Sequence, residues 1–485
     1  MRHALPLRSL TLVAAAVLAG CVNLAPDYQA PALPVPSTLP STLPSANVEA
    51  ATPLDAGWRD FFVEPKLRAV IELALANNRD LRVAALNIER ARAQYGIARA
   101  GLFPTIDAGA GGSRSRTPGS LSTGGEPRYA TQYSADLGLT SYEIDLFGRV
   151  RNLSESALQS FFQTEATQRG TQISLVASVA TAWLQLAADE QRLQLARHTL
   201  ESQRRSFDLI QRGHGLGAQS GLALAQAQST VDAARADAAA FDSQVEQDRN
   251  ALALLVGATP PAELLPTPAA TDPSTATAAT AEPARAARLL VPPAGLPSSV
   301  LQQRPDVLAA EHALRASNAD IGAARAAFFP RIALTASAGT ASSTLSGLFA
   351  SGSSAWSFAP SISVPIFDGG ANRANLRVAE AQQKIQLASY EKTVQTAFRE
   401  VADALAERRT LAERLDAQRS LLDATSRSFS LSQSLFRSGA SSYLDVLDAQ
   451  RAYYAAQQTL IGLQLTEQTN RLTIYKVLGG GWKES

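Results

Sequence analysis

The chain has 485 residues, of which 46% are hydrophobic and 18% charged, and its 44 basic and 43 acidic residues give a net charge of +1. This balance argues against a nucleic-acid partner, which requires a basic surface. The single cysteine and four histidines stand apart from one another along the chain. They offer little for a metal site or a nucleophile, so we expect neither an enzyme nor a metal cofactor.

The first 20 residues have the features of a secretory signal peptide. Arg2 and Arg8 precede an apolar run, and Leu18-Ala19-Gly20-Cys21 follows in the pattern of a lipobox. Because Cys21 is the only cysteine, it has no partner for an internal disulfide. We expect it to begin the mature chain and to carry a diacylglyceryl group and a further acyl chain. Val22 in place of aspartate favours sorting to the outer membrane.

Residues 21–63 form a lipidated segment, proline-rich as far as Pro53, that we expect to run extended.

Apart from the lipid, the mature chain should contact the bilayer through strands. Beyond the signal peptide no stretch approaches the ~20 uninterrupted apolar residues of a membrane-spanning helix. Any further crossing of the membrane therefore requires β-strands.

Most of the chain is an internal duplication, since four motifs occur in the same order in both halves. They are Asn78-Arg79-Asp80-Leu81 with Arg304-Pro305-Asp306-Val307, Gly96–Pro104 with Gly322–Pro330, Tyr142–Phe147 with Ile362–Phe367, and Gly217–Leu222 with Gly439–Leu444. The order predicts two repeats, 64–257 and 299–478. An Ala-, Thr- and Pro-rich linker at 258–298 joins them, and a tail at 479–485 ends the chain.

Each repeat should contain a helix, a strand pair and a long helical hairpin. In the first repeat a helix is predicted over 64–101, ended by Pro104. Apolar residues then alternate with polar or small ones from Ile106 to Ala110 and from Ile332 to Ala338, and the return strands show the same pattern, most clearly from Trp356 to Ile366. This alternation predicts strands with one apolar face. Glycine-rich loops are expected at 111–128 and 340–354.

A seven-residue period marks the long helices. It runs through Val179, Leu186, Leu193, Leu200 and Phe207, and in the second half through Val401, Arg408, Leu415, Leu422 and Phe429. Such heptads predict coiled-coil packing, although an ordinary helical-bundle core has the same stripe. The absence of proline from 149 to 212 predicts a rod of ~60 residues and ~90 Å.

Four strands per chain are too few for a membrane pore. An open sheet edge is not tolerated in hydrocarbon, and bacterial barrels begin at ~8 strands. The strands therefore demand an oligomer if they cross the membrane. Three copies give twelve strands, and the arithmetic also allows two or four copies.

Several motifs together resemble the outer-membrane factor (TolC-like) family, especially its lipoprotein branch associated with resistance-nodulation-division pumps. They are Pro26-Asp27-Tyr28, Trp58 with Phe61 and Phe62, Asn77–Leu81, Phe103-Pro104, Val364–Gly370, Tyr443–Gln450 and Leu478–Trp482. The resemblance covers essentially the whole mature chain. It implies a homotrimer with a twelve-stranded outer-membrane barrel, continued by a periplasmic α-helical tunnel. It also implies a periplasmic membrane-fusion adaptor and an inner-membrane transporter as partners.

The same resemblance implies a gate and a docking surface at the breaks in the long helices. Asp445 and Asp448 share one helical face, and in a trimer they would form carboxylate rings at a constriction near Phe436. The alternative is that they only complement the dipole of a helix capped by Ser441 or Ser442. The small tips Gly217, Ala218, Gly439 and Ala440 suit adaptor docking or simple turn chemistry, and these two interpretations are compatible.

Three other classes of protein are less consistent with the sequence. A lipid-anchored periplasmic adaptor has one helical hairpin flanked by β-rich domains, whereas two hairpins and two strand pairs are predicted here. An enzyme would need a convergent set of catalytic residues. A purely structural coiled-coil lipoprotein would not need alternating strands. We therefore expect a passive, gated outer-membrane channel that exports small molecules, and the sequence leaves the exported molecule open.

Overall fold

The computed structural model describes residues 22–40, 57–122, 124–267, 286–288 and 296–480. The predicted signal peptide, Cys21 and the end of the predicted tail lie outside these residues. The chain divides into two compact units. The first contains the chain up to Ala32, Leu86–Glu165 and Ala309–Glu391, and the second contains Leu33–Ala85, Ala166–Leu308 and the chain from Lys392 onward.

The main helices and strands of the described chain alternate in the predicted order. They are α1 (Pro65–Asn77), α2 (Arg79–Ala100), β1 (Ile106–Thr117), β2 (Arg128–Ile144), α3 (Arg149–Gly215), α4 (Gly221–Val256), α5 (Pro305–Ala326), β3 (Arg331–Ser342), β4 (Ser354–Ser363), α6 (Ala371–Arg437) and α7 (Tyr443–Val477). Short helical turns at Trp58–Phe61, Ala262–Leu264 and Ser298–Gln303 supplement them.

The structure confirms the internal duplication. Helices α2 and α5 each have 22 residues, and α3 and α6 each have 67. The following helices α4 and α7 have 36 and 35 residues. At ~1.5 Å per residue, α3 and α6 are each ~100 Å long. They are several times longer than the helices of ordinary globular domains.

The four strands form one antiparallel sheet in the order β1-β2-β3-β4. The two repeats meet in this sheet, because β2 of the first repeat pairs with β3 of the second. A bulge between Leu139 and Tyr142 shifts the register of that pair, and it places Ser141 at a φ of 51°. The predicted strand pairs are thus joined into a single sheet.

The two faces of this sheet differ in polarity. Directly opposed residues lie on the same face, and successive residues of a strand alternate between faces. One face is apolar across all four strands, in the rows Ile106, Leu139, Ala336, Phe358 and Ala108, Leu137, Ala338, Trp356. The other face carries small and polar side chains, in rows such as Asp107, Gly138, Ser337, Ser357, and the hydroxyls of Ser337 and Ser357 lie 2.8 Å apart.

The single helix predicted over 64–101 is wrong, since the chain breaks at Asn78. Asn78 is extended, with φ −61° and ψ 132°. Its side-chain oxygen accepts from the Leu81 amide at 2.8 Å, so it caps α2, and its amide nitrogen donates to the Leu255 carbonyl at 2.8 Å. A single asparagine therefore ends α1 and starts α2, a role that helical periodicity does not reveal.

The predicted loops were too long. Strand β1 continues through Gly111, Gly112 and Ser113 to Thr117, and β3 continues to Ser342. Glycine and serine are poor strand formers, but these residues pair with a long partner strand through their backbones. The connections shrink to 118–127 and 343–353. Strand β4 ends at Ser363, so Val364 and Ile366, which were predicted to continue it, lie beyond its end.

The heptad stripe forms part of the helical core. Val179, Leu186, Leu193, Val401 and Leu422 are buried. In the described chain, α3 also contains an 18-residue stretch apolar enough to cross a membrane. Half of that stretch is buried within the protein.

Parts of the predicted linker are ordered against the helices. The Trp183 indole donates to the Leu264 carbonyl at 3.0 Å. Further along, Ala287 forms a bridge with Phe62 and is buried. The Phe61 ring stacks on Tyr475, with centroids 4.1 Å apart. The short segment 286–288 thus covers an aromatic cluster although its composition resembles a flexible linker.

Candidate functional site

Each long helix ends in a tight glycine turn. Gly217 and Gly439 have φ values of 74° and 76°, a left-handed conformation that side chains with a Cβ rarely adopt. The next amides fold back: Ala218 donates to the Gly213 carbonyl at 2.8 Å, and Ala440 donates to the Leu435 carbonyl at 2.9 Å. This geometry ends the helices and leaves both alanines exposed.

The two turns and the helices beside them share an apolar core. Its buried members are Ile210, Ala227, Tyr443, Val446 and Leu447. Phe436, predicted to lie near a constriction, packs partly buried against this core and contacts Tyr443, with ring centroids 5.5 Å apart. We call this group of residues the tip cluster. It holds α3, α4, α6 and α7 together within the second compact unit.

Asp445 acts as a helix-capping residue. The Ser442 hydroxyl accepts from the Asp445 amide at 3.4 Å, and Asp445 Oδ2 accepts from the Ser442 amide at 3.0 Å. The structure therefore assigns the N-cap to Ser442 rather than Ser441, and the two residues form a capping box. The capping interpretation accounts for this one carboxylate, but not for its neighbour.

Asp448 is the freer of the two carboxylates. Its side chain is 67% exposed and lies 3.5 Å from Arg451, which is 58% exposed. An exposed ion pair of this kind contributes ~0–1 kcal/mol, so it can be exchanged for other contacts at little cost. The equivalent positions in the first repeat are Ala223, which packs on the tip cluster, and Gln226. Only the second repeat carries the acidic pair.

A buried charge network joins α6 to α7. Oε1 of Glu467 lies 2.7 Å from a guanidinium nitrogen of Arg408 and 2.7 Å from one of Arg471. The three side chains are only 8–17% exposed. Sequence reasoning noted Arg408 as the interruption of the heptad but did not find its partners. The sequence did contain a signal for this network, because a charged residue at an apolar heptad position needs a partner of opposite charge when it is buried.

Two carboxyl groups also meet between α3 and α4. Asp189 is 3% exposed in its side chain and accepts from Arg192 at 2.7 Å. The buried Asp248 lies within hydrogen-bonding range of Asp189, and it borders a cavity of about 420 Å³. Burial, together with this neighbour, raises the pKa of Asp248 from its ordinary value of 3.8 to about 6.

We expect Asp248→Asn to stabilise the protein above pH 6. A raised carboxyl pKa means that the folded state binds the proton more tightly, so stability falls as pH rises from about 4 to about 6 and then stays low. The variant should gain about 2–3 kcal/mol at pH 7.5, because the carboxyl pKa rises from 3.8 to about 6 on folding, with the gain vanishing toward pH 4. Thermal denaturation at both pH values measures this. The control Asp242→Asn removes a carboxylate that is 60% exposed, and an equal gain in it would refute the explanation.

The segment after Cys21 is fixed to the first compact unit. Asn23 Oδ1 accepts from Asn152 at 2.8 Å, and the Pro26 carbonyl accepts from Asn318 at 2.7 Å. Tyr28 donates to Glu311 at 3.2 Å, and burial, with this carboxylate, raises the pKa of Tyr28 to about 12. Cys21 itself lies outside the described residues.

The fold and the sheet define a class of protein. One chain of a trimeric TolC-like outer-membrane channel contributes four strands to the twelve-stranded barrel and long helices to the tunnel, and this chain has the same elements: a four-stranded sheet with one apolar face and two 67-residue helices. Comparison with known proteins agrees. The family model described as "Outer membrane efflux protein" matches residues 70–258 and 296–480, and the chain belongs to this family.

Similar proteins with established names are efflux-pump components. The antibiotic efflux pump outer membrane protein ArpC of Pseudomonas putida is 46% identical over 477 residues, which are 97% of this chain and 95% of that protein. The toluene efflux pump outer membrane protein TtgC of Pseudomonas putida has the same identity and coverage. The open state of the Neisseria gonorrhoeae MtrE outer membrane channel is 38% identical with a TM-score of 0.83, covering 95% of this chain and 99% of that one.

The chain is therefore the outer-membrane channel component of an efflux pump. This confirms the predicted fold class, location and function, and it excludes the adaptor as the alternative. The comparisons leave the individual gate, docking and lipid residues as predictions.

Proposed function

We propose that this protein is the lipid-anchored, homotrimeric exit duct of a tripartite pump, in contact with a periplasmic adaptor and a resistance-nodulation-division transporter. The observation that carries the proposal is the pair of exposed turns that end two 67-residue helices. Structures of this length suit a conduit that crosses a space, and small turn residues permit close approach by a partner. The names of the relatives, which describe pump components, support such an assembly.

The proposed docking surface combines small and apolar groups. Ala218 and Ala440 are exposed beside Gly217 and Gly439, and the turn residue Leu216 is 85% exposed. An exposed leucine flanked by residues without bulk gives a partner helix apolar area to bury without steric obstruction. The second turn has the same small Gly-Ala pair but carries Ser438 at the position of Leu216. An adaptor hairpin can therefore approach either repeat closely, and it buries more apolar area at the first turn.

Adding bulk at the turns should block docking. We expect Ala218→Arg with Ala440→Arg to reduce capture of the cognate adaptor at least about tenfold, because the arginines occupy space in the centre of the contact. Copurification after chemical cross-linking in cells measures the loss, and efflux of a fluorescent dye should fall with it. The control pair Ala218→Ser and Ala440→Ser keeps the residues small and should behave as the wild type. Undiminished capture by the arginine variant would contradict the docking assignment.

We also propose that Cys21 carries the lipid anchor. The hydrogen bonds of Asn23, Pro26 and Tyr28 support the proposal, because they hold the adjacent chain against the unit that contains the sheet. The lipid would then sit beside the barrel and would require no long tether.

Replacing Cys21 by serine should abolish lipidation, because the thioether bond needs the thiol. Metabolic labelling with palmitate measures this, and the expected result is complete loss of label from the mature protein. Label retained by Cys21→Ser would place the anchor elsewhere.

In this proposal the chain performs no catalysis and does not choose the exported molecule. Relatives named for an antibiotic and for toluene are equally similar to it, which supports selection by the inner-membrane partner. The remaining task of the chain is to stay closed until docked. We assign that closure to Asp445 and Asp448, with Phe436 as a positioning residue that supports Tyr443 in the tip cluster.

A further inference from the structure

The apolar face of the sheet ends in two arginines. Along β1 this face presents Ile106, Ala108, Ala110 and Gly112, and the next two positions on it are Arg114 and Arg116. They lie at the hairpin end of the strand, away from its connection to α2. In an outer-membrane barrel with periplasmic helices, the hairpin ends face the cell exterior and the apolar face contacts lipid. The two charges therefore lie at the outer border of the lipid-facing surface.

Two tyrosines lie on the same face of the sheet as these arginines, and one of them contacts both guanidinium groups. Tyr129 is directly opposite Arg116 and is 60% exposed. The guanidinium carbons of Arg114 and Arg116 lie 5.7 and 5.9 Å from the centre of its ring. Tyr133 is opposite Gly112, and its ring is close enough to contact a side chain there. Tyrosines at this level are typical of the interfacial girdle of a barrel, where headgroups begin.

The two guanidinium groups lack a protein counter-charge. In the described chain neither Arg114 nor Arg116 forms an ion pair, although Glu126 lies in the adjoining turn. An arginine on the lipid face is unfavourable at the membrane centre and tolerated near the interface. Planar guanidinium groups bind phosphate through paired hydrogen bonds, so a phosphorylated headgroup supplies the missing charge.

The opposite face of the same hairpin provides a contrast. Arg128 pairs with Thr117, so it lies on the polar face at nearly the same level as Arg116. It is the neighbour of Tyr129 in sequence but projects toward the channel side of the barrel. A lipid headgroup can reach the first two arginines and not this one.

We propose that Arg114, Arg116 and Tyr129 form a binding site for the phosphate groups of anionic lipids in the outer leaflet. The site rests on the trimeric outer-membrane barrel of the proposed function and adds a ligand to it. The two guanidinium groups bind the phosphate, and their contact with the Tyr129 ring restricts their motion. Three such sites in a trimer fix the height of the barrel in the membrane from the outer side, opposite the lipid anchor.

Lipid retention by the purified trimer tests the site. The full mature protein is incubated in detergent with lipid A carrying both phosphates, and bound lipid is counted by native mass spectrometry. We expect Arg114→Gln with Arg116→Gln to retain it about 10- to 30-fold less well than the wild type, from roughly one kcal/mol per interfacial arginine. Arg116→Gln alone should lose about three- to fivefold. Arg128→Gln is the matched control and should retain lipid fully.

Further arms identify the ligand. Dephosphorylated lipid A should bind the wild type and the double variant equally, and inorganic phosphate should compete weakly. Full competition by inorganic phosphate would overturn the assignment to a lipid, as would equal retention by the double variant or an equal loss in Arg128→Gln. Pore formation by the same samples in planar bilayers is recorded in parallel. Lost retention with intact pores supports the site, whereas absent pores in the wild type would contradict the channel itself.

Discussion

Replacing Glu467 by glutamine is expected to destabilise the protein by about 3–5 kcal/mol, the cost of breaking a buried ion pair. One Glu467 oxygen serves both Arg408 and Arg471 at 2.7 Å. The neutral amide keeps the shape of the side chain but leaves two buried guanidinium groups without their shared counter-charge. Arg471 also donates to the Ala287 carbonyl at 3.2 Å, so the loss should extend to the segment that covers Phe62.

The apparent midpoint of thermal unfolding, measured at one scan rate, reports this loss. The constant rate matters because large membrane proteins unfold irreversibly. Glu413→Gln is the control, since Glu413 is exposed on the same helix as Arg408. As a surface substitution it should change the stability by no more than about 0.5 kcal/mol and leave the midpoint nearly unchanged. Equal midpoints for the two variants would show that the network contributes nothing to stability.

The features that sequence revealed best are those repeated along the chain. The geometry of a helix imposes the seven-residue spacing through Val179 and Val401, and the geometry of a strand imposes the alternation around Ile332. The duplicated motifs are visible because the same sequence pattern occurs twice. The structure confirms them as matched helices and one four-stranded sheet. Glycine turns at Gly217 and Gly439 were equally visible, because a positive φ favours one residue type.

The features that sequence missed depend on contacts between distant residues. The break at Asn78 is stabilised by the Leu255 carbonyl, 177 residues away in sequence. Strand β1 extends through glycines only because β2 is there to pair with them. Asp189 and Asp248 come close because α3 packs against α4, and no local pattern distinguishes buried aspartates from exposed ones. Composition likewise could not show that Ala287 is ordered.

Within the candidate site, sequence placed the residues but not their roles. It grouped Asp445 and Asp448 because they share a helical face, whereas the structure separates them. Asp445 is held by the capping box with Ser442, and Asp448 is exposed with a weak partner in Arg451. We therefore expect Asp448 to contribute more than Asp445 to any aperture formed by three copies of the chain.

Neutralising both aspartates should open the channel. Asp445→Asn with Asp448→Asn keeps an oxygen that can accept from the Ser442 amide, so the helix start is preserved while two charges per chain are removed. Rings of carboxylates at a constriction favour cations and bind neighbouring donors. Without them we expect a conductance at least about twofold higher and a weaker cation preference. Asp448→Asn alone should produce most of the change.

Single-channel recording of the purified protein in planar bilayers tests the central claim most directly. The wild type should form cation-preferring pores that are closed most of the time, and Asp445→Asn with Asp448→Asn should give larger, less selective and more frequent openings. Asp208→Asn, an exposed aspartate in the first repeat's hairpin, serves as the control and should match the wild type. A wild-type protein that forms no pores would contradict the channel, and a double variant indistinguishable from the wild type would contradict its gate.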